Sequence, residues 1–244
     1  MAFGIKEFYD TAQSKDPVTD KVVAHQYDLM YGIFLLPLYH SFDHEARKFK
    51  FLEIGLGCDM NYGPGASVAV WKSVKKAVAN GLLKGINPLV GDQKDPATLE
   101  EWVEKSGGNF DVIIDDGGHK NSQIKAAFDR LWIEVNYGGF YFIEDLQVGR
   151  SSSYEPKPEL ETMSQIIQDW IDQLLVGDWN VAESRQRHPL PQDVAFITCQ
   201  LEACVIAKTH AKFAIQARPG GGKRQMHQAP LPLVENEQVI QLLV

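Results

Sequence analysis

The hydrophobic positions of this chain form short, almost continuous apolar runs separated by stretches of helical period. Lys50-Phe51-Leu52-Glu53-Ile54-Gly55 reads as a strand closing on a glycine, and Asn87-Pro88-Leu89-Val90-Gly91-Asp92 as a second strand with an acidic end. Asp111 to Ile114 reads as a third strand, and Phe140 to Ile143 as a fourth, entered after a break at Gly138-Gly139. Between them the period lengthens. Ser67 to Val78 reads as helix. Asp95-Pro96 opens another through Trp102 and Val103, with Asp95 as N-cap and Pro96 at the first helical position. Ser122 to Val135 places Ile124, Ala127, Phe128 and Leu131 on one face. Glu159 to Leu175 is amphipathic. Asp193 to Cys199 and Ala203 to Lys208 flank a tight turn and read as an antiparallel hairpin. Near the start, Thr19 is placed to cap a helix carrying Val22, Val23, Tyr27, Met30 and Tyr31.

Alternating apolar strands and helices predict an α/β fold. The expected form is a doubly wound, mostly parallel sheet covered on both faces, with a C-terminal antiparallel hairpin. Residues 1–47 read as a helical cap or lid, 48–210 as the core, and 211–244 as a linker and tail. The linker, Pro219-Gly220-Gly221-Gly222-Lys223, is flexible. The apolar end, Leu231 to Val244, is expected to dock on the domain or on another subunit of a homo-oligomer. One element is missing. This spacing calls for a further strand between Gly57 and Leu89, and none is legible there. Val68 to Lys72 and Ser73 to Asn80 look like pieces of two helices, as if a segment were absent near Lys72-Ser73.

Composition narrows the function classes. The 244 residues suffice for one α/β core. A formal net charge of -8 argues against a general binder of nucleic acid or anionic membrane. The longest apolar run, Ile33 to Leu38, is too short to span a bilayer and contains Pro37. Met1 to Asp20 is polar and shows no signal-peptide core. Cys58, Cys199 and Cys204 make no CxxC pattern and are expected as packing residues in a reducing compartment. The combined expectation is a cytoplasmic protein.

The chemistry gathers at strand ends. In parallel sheets, ligands bind beyond the carboxyl ends of the strands. Those ends carry Glu53, Asp92, Asp115-Asp116 and Glu144-Asp145, and the third is followed by Gly117-Gly118-His119. Such a cluster is costly to assemble unless a cation or a proton-transfer task uses it. The simpler alternative is that His119 caps the next helix while the acids face solvent. In Leu52-Glu53-Ile54-Gly55-Leu56-Gly57 the two glycines admit a ligand close to the backbone, but Met60 stands where a GxGxxG pattern needs its third glycine. An acid before the turn suits a cationic amine better than a pyrophosphate. His40 and His44 read as a surface pair, His188 as a loop residue within reach of an acidic substrate group, and Trp132, Trp170 and Trp179 as packing residues.

Taken in order, Glu53-Ile54-Gly55-Leu56-Gly57, Gly91-Asp92-Gln93-Lys94-Asp95, Ile114-Asp115-Asp116-Gly117-Gly118-His119 and Gly138-Gly139-Phe140-Tyr141-Phe142-Ile143-Glu144-Asp145-Leu146 resemble class I S-adenosylmethionine (SAM) methyltransferases. More narrowly, they resemble the metal-dependent macrocin and mycinamicin sugar O-methyltransferase branch, which has cephalosporin-hydroxylase-type relatives. Thr19-Asp20-Lys21 with His25, Tyr27 and Tyr31 resembles the N-terminal segment of that branch. The resemblance spans residues 18–208 and implies a Rossmann-like methyltransferase core. It implies SAM and Mg²⁺, or another divalent cation, as cofactors. It assigns Asp116, Glu144 and Asp145 to the metal and makes His119 the general base. It places Glu53, Gly55 and Gly57 at the amino-acid end of SAM, Asp92 and Gln93 at the adenine side, and Asp115 near the sulfonium or in support of the site. Tyr27 and Tyr31 would close over the cofactor. That branch also puts an acid for the ribose at the end of a second strand, and this sequence offers none. The implied reaction is O-methylation of a small-molecule hydroxyl, with a glycosylated secondary metabolite, a vicinal diol or a catechol as the search class. Two further readings are an NAD-dependent oxidoreductase and a non-catalytic SAM-binding or scaffold protein. The missing third glycine and the lack of a Ser-Tyr-Lys set count against the first of these.

Overall fold

In the computed structural model the described residues are 3–42, 49–55, 70, 86–155, 161–176, 187–191, 193–210 and 239–243. Their apolar runs form β1 Phe51–Ile54, β2 Ile86–Val90, β3 Phe110–Asp115, β4 Val135–Ile143, β5 Val194–Cys199, β6 Cys204–Lys208 and β7 Val239–Leu243. The strands make one sheet in the order β2-β7-β1-β3-β4-β6-β5. The first five in that order run parallel, and β6 and β5 close the sheet as the expected antiparallel hairpin.

Helices cover both faces. On one side lie α5 Pro96–Ser106, α6 Asn121–Leu131 and α7 Met163–Val176. Trp102, Phe128, Leu131 and Trp170 from these helices pack with Leu52, Ile113, Tyr141 and Ile206 of the sheet. The opposite face is covered by the N-terminal residues: α1 Phe3–Gln13, the short turns α2 Asp20–Val23 and α3 Asp28–Met30, a π-helical turn Tyr31–Leu35, and α4 Leu36–Ser41. Here Phe8, Tyr27, Tyr31, Leu35 and Leu36 pack with Phe51, Val112, Ile114 and Phe142. Successive residues of β3 thus feed opposite cores, as the period of two in a strand requires. Each large side chain so buried stabilises the fold by roughly 1.5–3 kcal/mol. The N-terminal segment is therefore one of the two helical layers. Asp95 caps α5 as expected, accepting from the backbone N–H of Ala97 and Thr98.

Several expectations change. The strand missing between Gly57 and Leu89 is supplied from the far end of the chain. β7 lies parallel between β1 and β2, with Ile240 opposite Leu52 on one side and Asn87 on the other. Val239–Leu243 of the apolar tail thus dock on the sheet of their own chain. The predicted helix Ser67 to Val78, apart from the buried helical Val70, and the Lys72-Ser73 junction lie outside the described residues, as do Gly57, Cys58, His44 and Trp179. Gly138-Gly139 does not break the chain before β4 but sits inside it. There the register jumps from Phe110 opposite Val135 to Val112 opposite Phe140, and Gly138 takes φ +81°, a left-handed value that glycine adopts readily. Cys199 and Cys204 are not free packing residues. They are directly opposed across the β5–β6 turn, with Cα atoms 4.0 Å apart, and form a disulfide. They no longer speak for a reducing compartment. Among the described residues no helix is long and apolar enough to cross a membrane.

Candidate active site

The two acidic pairs meet because β3 and β4 are adjacent and end in step. Asp115 lies opposite Ile143, and the Glu144 N–H donates to the Asp115 carbonyl at 3.0 Å. β1 joins from the other side, where the Asp116 N–H donates to the Ile54 carbonyl at 2.9 Å. Gly55, at φ +105°, lets the chain turn there. A Cβ on it would stand 1.9 Å from the Asp116 carbonyl oxygen. In this structure, therefore, the closeness that Gly55 permits is between β1 and the acidic loop. Two non-glycine residues of the motif, His119 at φ 55° and Asp145 at φ 54°, also adopt left-handed backbone. Such conformations persist where the surroundings enforce them, and they collect at functional sites.

The four acids fall into three environments. Asp115 is buried. It accepts from Gln93 Nε2 at 3.0 Å and from the Tyr141 hydroxyl at 3.1 Å. Burial pushes its carboxyl up to about 6, against the pull of Gln93, His119 and Tyr141. Glu144 is also buried, with one oxygen 2.5 Å from Lys21 Nζ and the other accepting from the Tyr31 hydroxyl. Burial pushes its carboxyl well above the ordinary range, against the pull of Lys21 and Tyr31 on its two oxygens. Asp116 and Asp145 are the two acids that solvent reaches, each about a fifth exposed. Burial alone would raise the Asp145 carboxyl, but His119, Gln147, Tyr27 and His25 together hold it below the ordinary range.

His119 stands between these open acids. Its Nε2 lies 3.5 Å from Asp145 Oδ2 and 4.0 Å from Asp116 Oδ1. One donor atom from each of Asp116, His119 and Asp145 falls within 4.8 Å of the others. The helix-capping alternative fails: Lys120, not His119, is the N-cap of α6, and the Asn121 N–H is taken by Glu155. A second group of potential ligands, Glu161, Asp169 and His188, already has the Arg187 guanidinium on Glu161.

The N-terminal layer supplies partners for these acids from the Lys21, His25, Tyr27 and Tyr31 segment, which the sequence marks by resemblance but does not pair with the acids. Lys21 is buried and its ammonium donates to Asp116 Oδ2 at 2.8 Å as well as to Glu144. Burial lowers the tendency of this amine to stay charged, yet Asp116, Glu144 and Glu53 outweigh it and raise its pKa well above the ordinary value. The Tyr27 hydroxyl donates to Asp145 Oδ1 at 2.8 Å and accepts from the Asp145 N–H at 3.2 Å. Tyr27 and Tyr31, expected over the cofactor, thus have their hydroxyls on the acids. His25 stacks on Tyr27, with ring centroids 4.8 Å apart, and its Nδ1 lies 2.6 Å from Glu202 in the β5–β6 turn. The signal for these partners was the Lys–His–Tyr–Tyr spacing after Thr19, which carries no local mark of burial.

The expected cofactor residues are less tightly gathered. Glu53 is buried in β1 within electrostatic reach of Lys21. Gln93 is fully buried, and its Oε1 accepts from the Gly118 N–H at 2.9 Å, so its amide ties the β2–α5 loop to the acidic loop. Asp92 is exposed beyond β2 and accepts from the Lys94 N–H and from Gln123. Of the lesser candidates, His40 faces Glu7 at 3.4 Å and His188 faces Glu161 at 3.0 Å.

No family model matches the chain. It is 34% identical over 122 residues to a demethylmacrocin O-methyltransferase of Streptomyces fradiae, covering 44% of this chain and 30% of that protein. It is 31% identical over 166 residues to a tetracenomycin rhamnosyl 3'-O-methyltransferase of Streptomyces olivaceus, covering 60% of this chain and 42% of that protein. The chain therefore spans less than half the length of these relatives. Among solved structures, the MycE methyltransferase of mycinamycin biosynthesis, in complex with Mg, SAH and mycinamycin VI, aligns at a TM-score of 0.60 and 21% identity. That match covers 89% of this chain and 57% of MycE. This chain has the methyltransferase fold of MycE and resembles in sequence the macrocin and mycinamicin sugar O-methyltransferase branch.

Proposed function

We propose that this chain is a SAM-dependent, divalent-metal-assisted O-methyltransferase acting on a sugar hydroxyl of a glycosylated small molecule. One observation carries the reading: an imidazole stands between two open carboxylates at the carboxyl edge of the sheet, on a chain similar to sugar O-methyltransferases. The donor set fits the groups the reading requires. Of the three acids expected at the metal, Asp116 and Asp145 offer hard oxygen ligands, which suit Mg²⁺, whereas both Glu144 oxygens are engaged by Lys21 and Tyr31, so Glu144 stands behind them. The reading puts SAM beyond the carboxyl ends of the strands, where the strand order reverses between β1 and β3, on the side of the β2–α5 loop that carries Asp92. When bound, the cation would supply Lewis acidity to a substrate oxygen, and SAM the methyl group.

The chain's own residues then divide the work. His119 takes the hydroxyl proton on Nε2, the nitrogen facing the open acids. The oxygen lone pair left behind would form the new bond to the methyl carbon as that carbon's bond to the sulfonium sulfur breaks, the sulfur keeping the electron pair. Asp145 Oδ2, 3.5 Å from that nitrogen, favours the imidazolium that results. Tyr27 fixes the Asp145 carboxylate from its other oxygen. The net charge of -8 suits a neutral or cationic small molecule rather than nucleic acid.

The test is methyl transfer from labelled SAM to a panel of glycosylated acceptors, with and without EDTA, for the wild type and His119→Ala. The reading expects transfer that EDTA and the substitution each abolish. Transfer that survives both would overturn it.

A further inference from the structure

The acidic centre is divided into two compartments by a single carboxylate. Asp116 points Oδ2 at Lys21 Nζ, 2.8 Å away, and Oδ1 at His119 Nε2, 4.0 Å away. On the Lys21 side the second wall is Glu144, at 2.5 Å from the ammonium. On the His119 side the second wall is Asp145. The first compartment is closed, since the side chains of Lys21 and Glu144 are 2% and 1% exposed. The second is open to solvent, with Asp116, His119 and Asp145 each about a fifth exposed. A carboxylate that serves a cation with each oxygen, flanked by an acid on either side, is the layout of a two-cation centre. In two-metal sites the ions lie about 3.5–4 Å apart. Here one of the two cation positions already holds a covalently tethered ammonium.

We infer that Lys21 is the permanent second cation of this centre, a positioning residue that limits it to one divalent ion and aims Asp116 Oδ1 at that ion. The inference rests on the metal-assisted reading above. Charge supports it. Asp116, Glu144, Asp145 and the nearby Glu53 are four carboxylates, and burying unpaired acids is strongly unfavourable. An ammonium cancels one charge without needing a ligand shell of several oxygens. It also holds Glu144 against Asp116, which two carboxylates would otherwise resist. Tyr31 reinforces the arrangement by donating to the remaining Glu144 oxygen. The lysine comes from the N-terminal layer, so docking of that layer and completion of the metal centre become one event.

The test counts ions. Mn²⁺ bound per chain is measured by equilibrium dialysis and paramagnetic resonance for the wild type, Lys21→Met and Lys21→Arg. The inference expects one ion in the wild type, two in Lys21→Met, where the vacated acids accept a second, and one in Lys21→Arg, where a cation is restored. Two ions in the wild type, or an unchanged count and affinity in Lys21→Met, would overturn it while leaving the metal reading intact. No ion in the wild type would overturn the metal reading and this inference with it. A measurement on the unmodified chain covers the case in which Lys21→Met fails to fold. Acetylation of Lys21, followed by mass spectrometry, should be equally slow with and without Mn²⁺, because the ammonium stays in its compartment. Acceleration of tenfold or more on Mn²⁺ loading would show that the ion displaces the lysine, and the inference would fall.

Discussion

The carboxyl edge of the sheet has two halves built in different ways. Around β3 and β4 the strands pair directly, each acid pair is contiguous in sequence, and Lys21, Tyr27 and Tyr31 brace the acids from outside. Around β1 and β2 the strands meet only through β7, drawn from the end of the chain. Side chains interlock the first half, and in the second two backbone ladders share one middle strand. Gln93 is a side-chain tie between them, bonded to Asp115 and Gly118 from the loop after β2. The acid half is therefore expected to tolerate loss of the tail, and the cofactor half is not.

The largest separation of the halves comes from His119→Ala. Loss of a general base lowers the rate by about 10²–10⁴-fold. The substitution leaves β1, β2 and β7 untouched, so S-adenosylhomocysteine affinity should stay at the wild-type value. Single-turnover methyl transfer beside calorimetry checks this. If affinity falls along with the rate, the two halves are not separable in the way described.

Ile240→Pro attacks the other half. Ile240 pairs with Leu52 on one side and Asn87 on the other. A proline in a central strand removes a ladder N–H and leaves a ladder carbonyl unpaired, at a cost of about 1–3 kcal/mol. Urea unfolding should register that loss. Calorimetry should show S-adenosylhomocysteine binding weakened at least tenfold, about 1.4 kcal/mol, with Mn²⁺ binding at Asp116 and Asp145 retained. Equal loss of both ligands would deny β7 its special relation to the cofactor side.

The same contrast governs what could be read in advance. The strands from β1 to β4, the closing hairpin, the Asp95 cap and the clustering of His119 with Asp116 and Asp145 follow from local signals: apolar runs, turn residues and acids at strand ends. β7 does not, because its partners are set by a gap in the sheet that only the folded chain presents. Lys21 does not either. A lysine in a first helical turn reads as solvated, and here its burial is decided by acids 95 and 123 residues away. The Cys199–Cys204 bond escaped because cysteine spacing was weighed as a metal or framework pattern rather than as a hairpin register.

Asp115 sits on the boundary of the halves and gives a pH test. Its folded carboxyl, raised by burial from 3.8 to about 6, prefers the protonated form more than the unfolded chain does. Its stabilising contribution is therefore complete below about pH 4 and is lost as pH rises through about 6. A displacement of that size corresponds to about 3 kcal/mol at most. In metal-free protein, the stability gap between wild type and Asp115→Asn should shift in the variant's favour by up to that amount between pH 4 and pH 7.5. Urea unfolding at both pH values measures it, and a gap independent of pH would refute the assignment.

The smallest expected effect compares the two tyrosines. Tyr31 and Tyr27 each donate to one acid of the Glu144-Asp145 pair, but to different degrees of burial. Glu144 is shut from solvent and has Lys21 as its other partner, so losing the Tyr31 hydroxyl leaves a buried carboxylate oxygen unsatisfied. Tyr31→Phe should cost about 2–3 kcal/mol, the range for a hydrogen bond to a buried charge. Asp145 is partly exposed, and its Oδ1 also accepts from Gln147 at 3.1 Å. Water and Gln147 can take up the freed oxygen, so Tyr27→Phe should cost about 1 kcal/mol. Thermal and urea unfolding of the two variants rank them directly. The reverse order would mean that the open acid, not the closed one, depends more on the N-terminal layer, and the division of the centre into a sealed and an open compartment would lose its energetic basis.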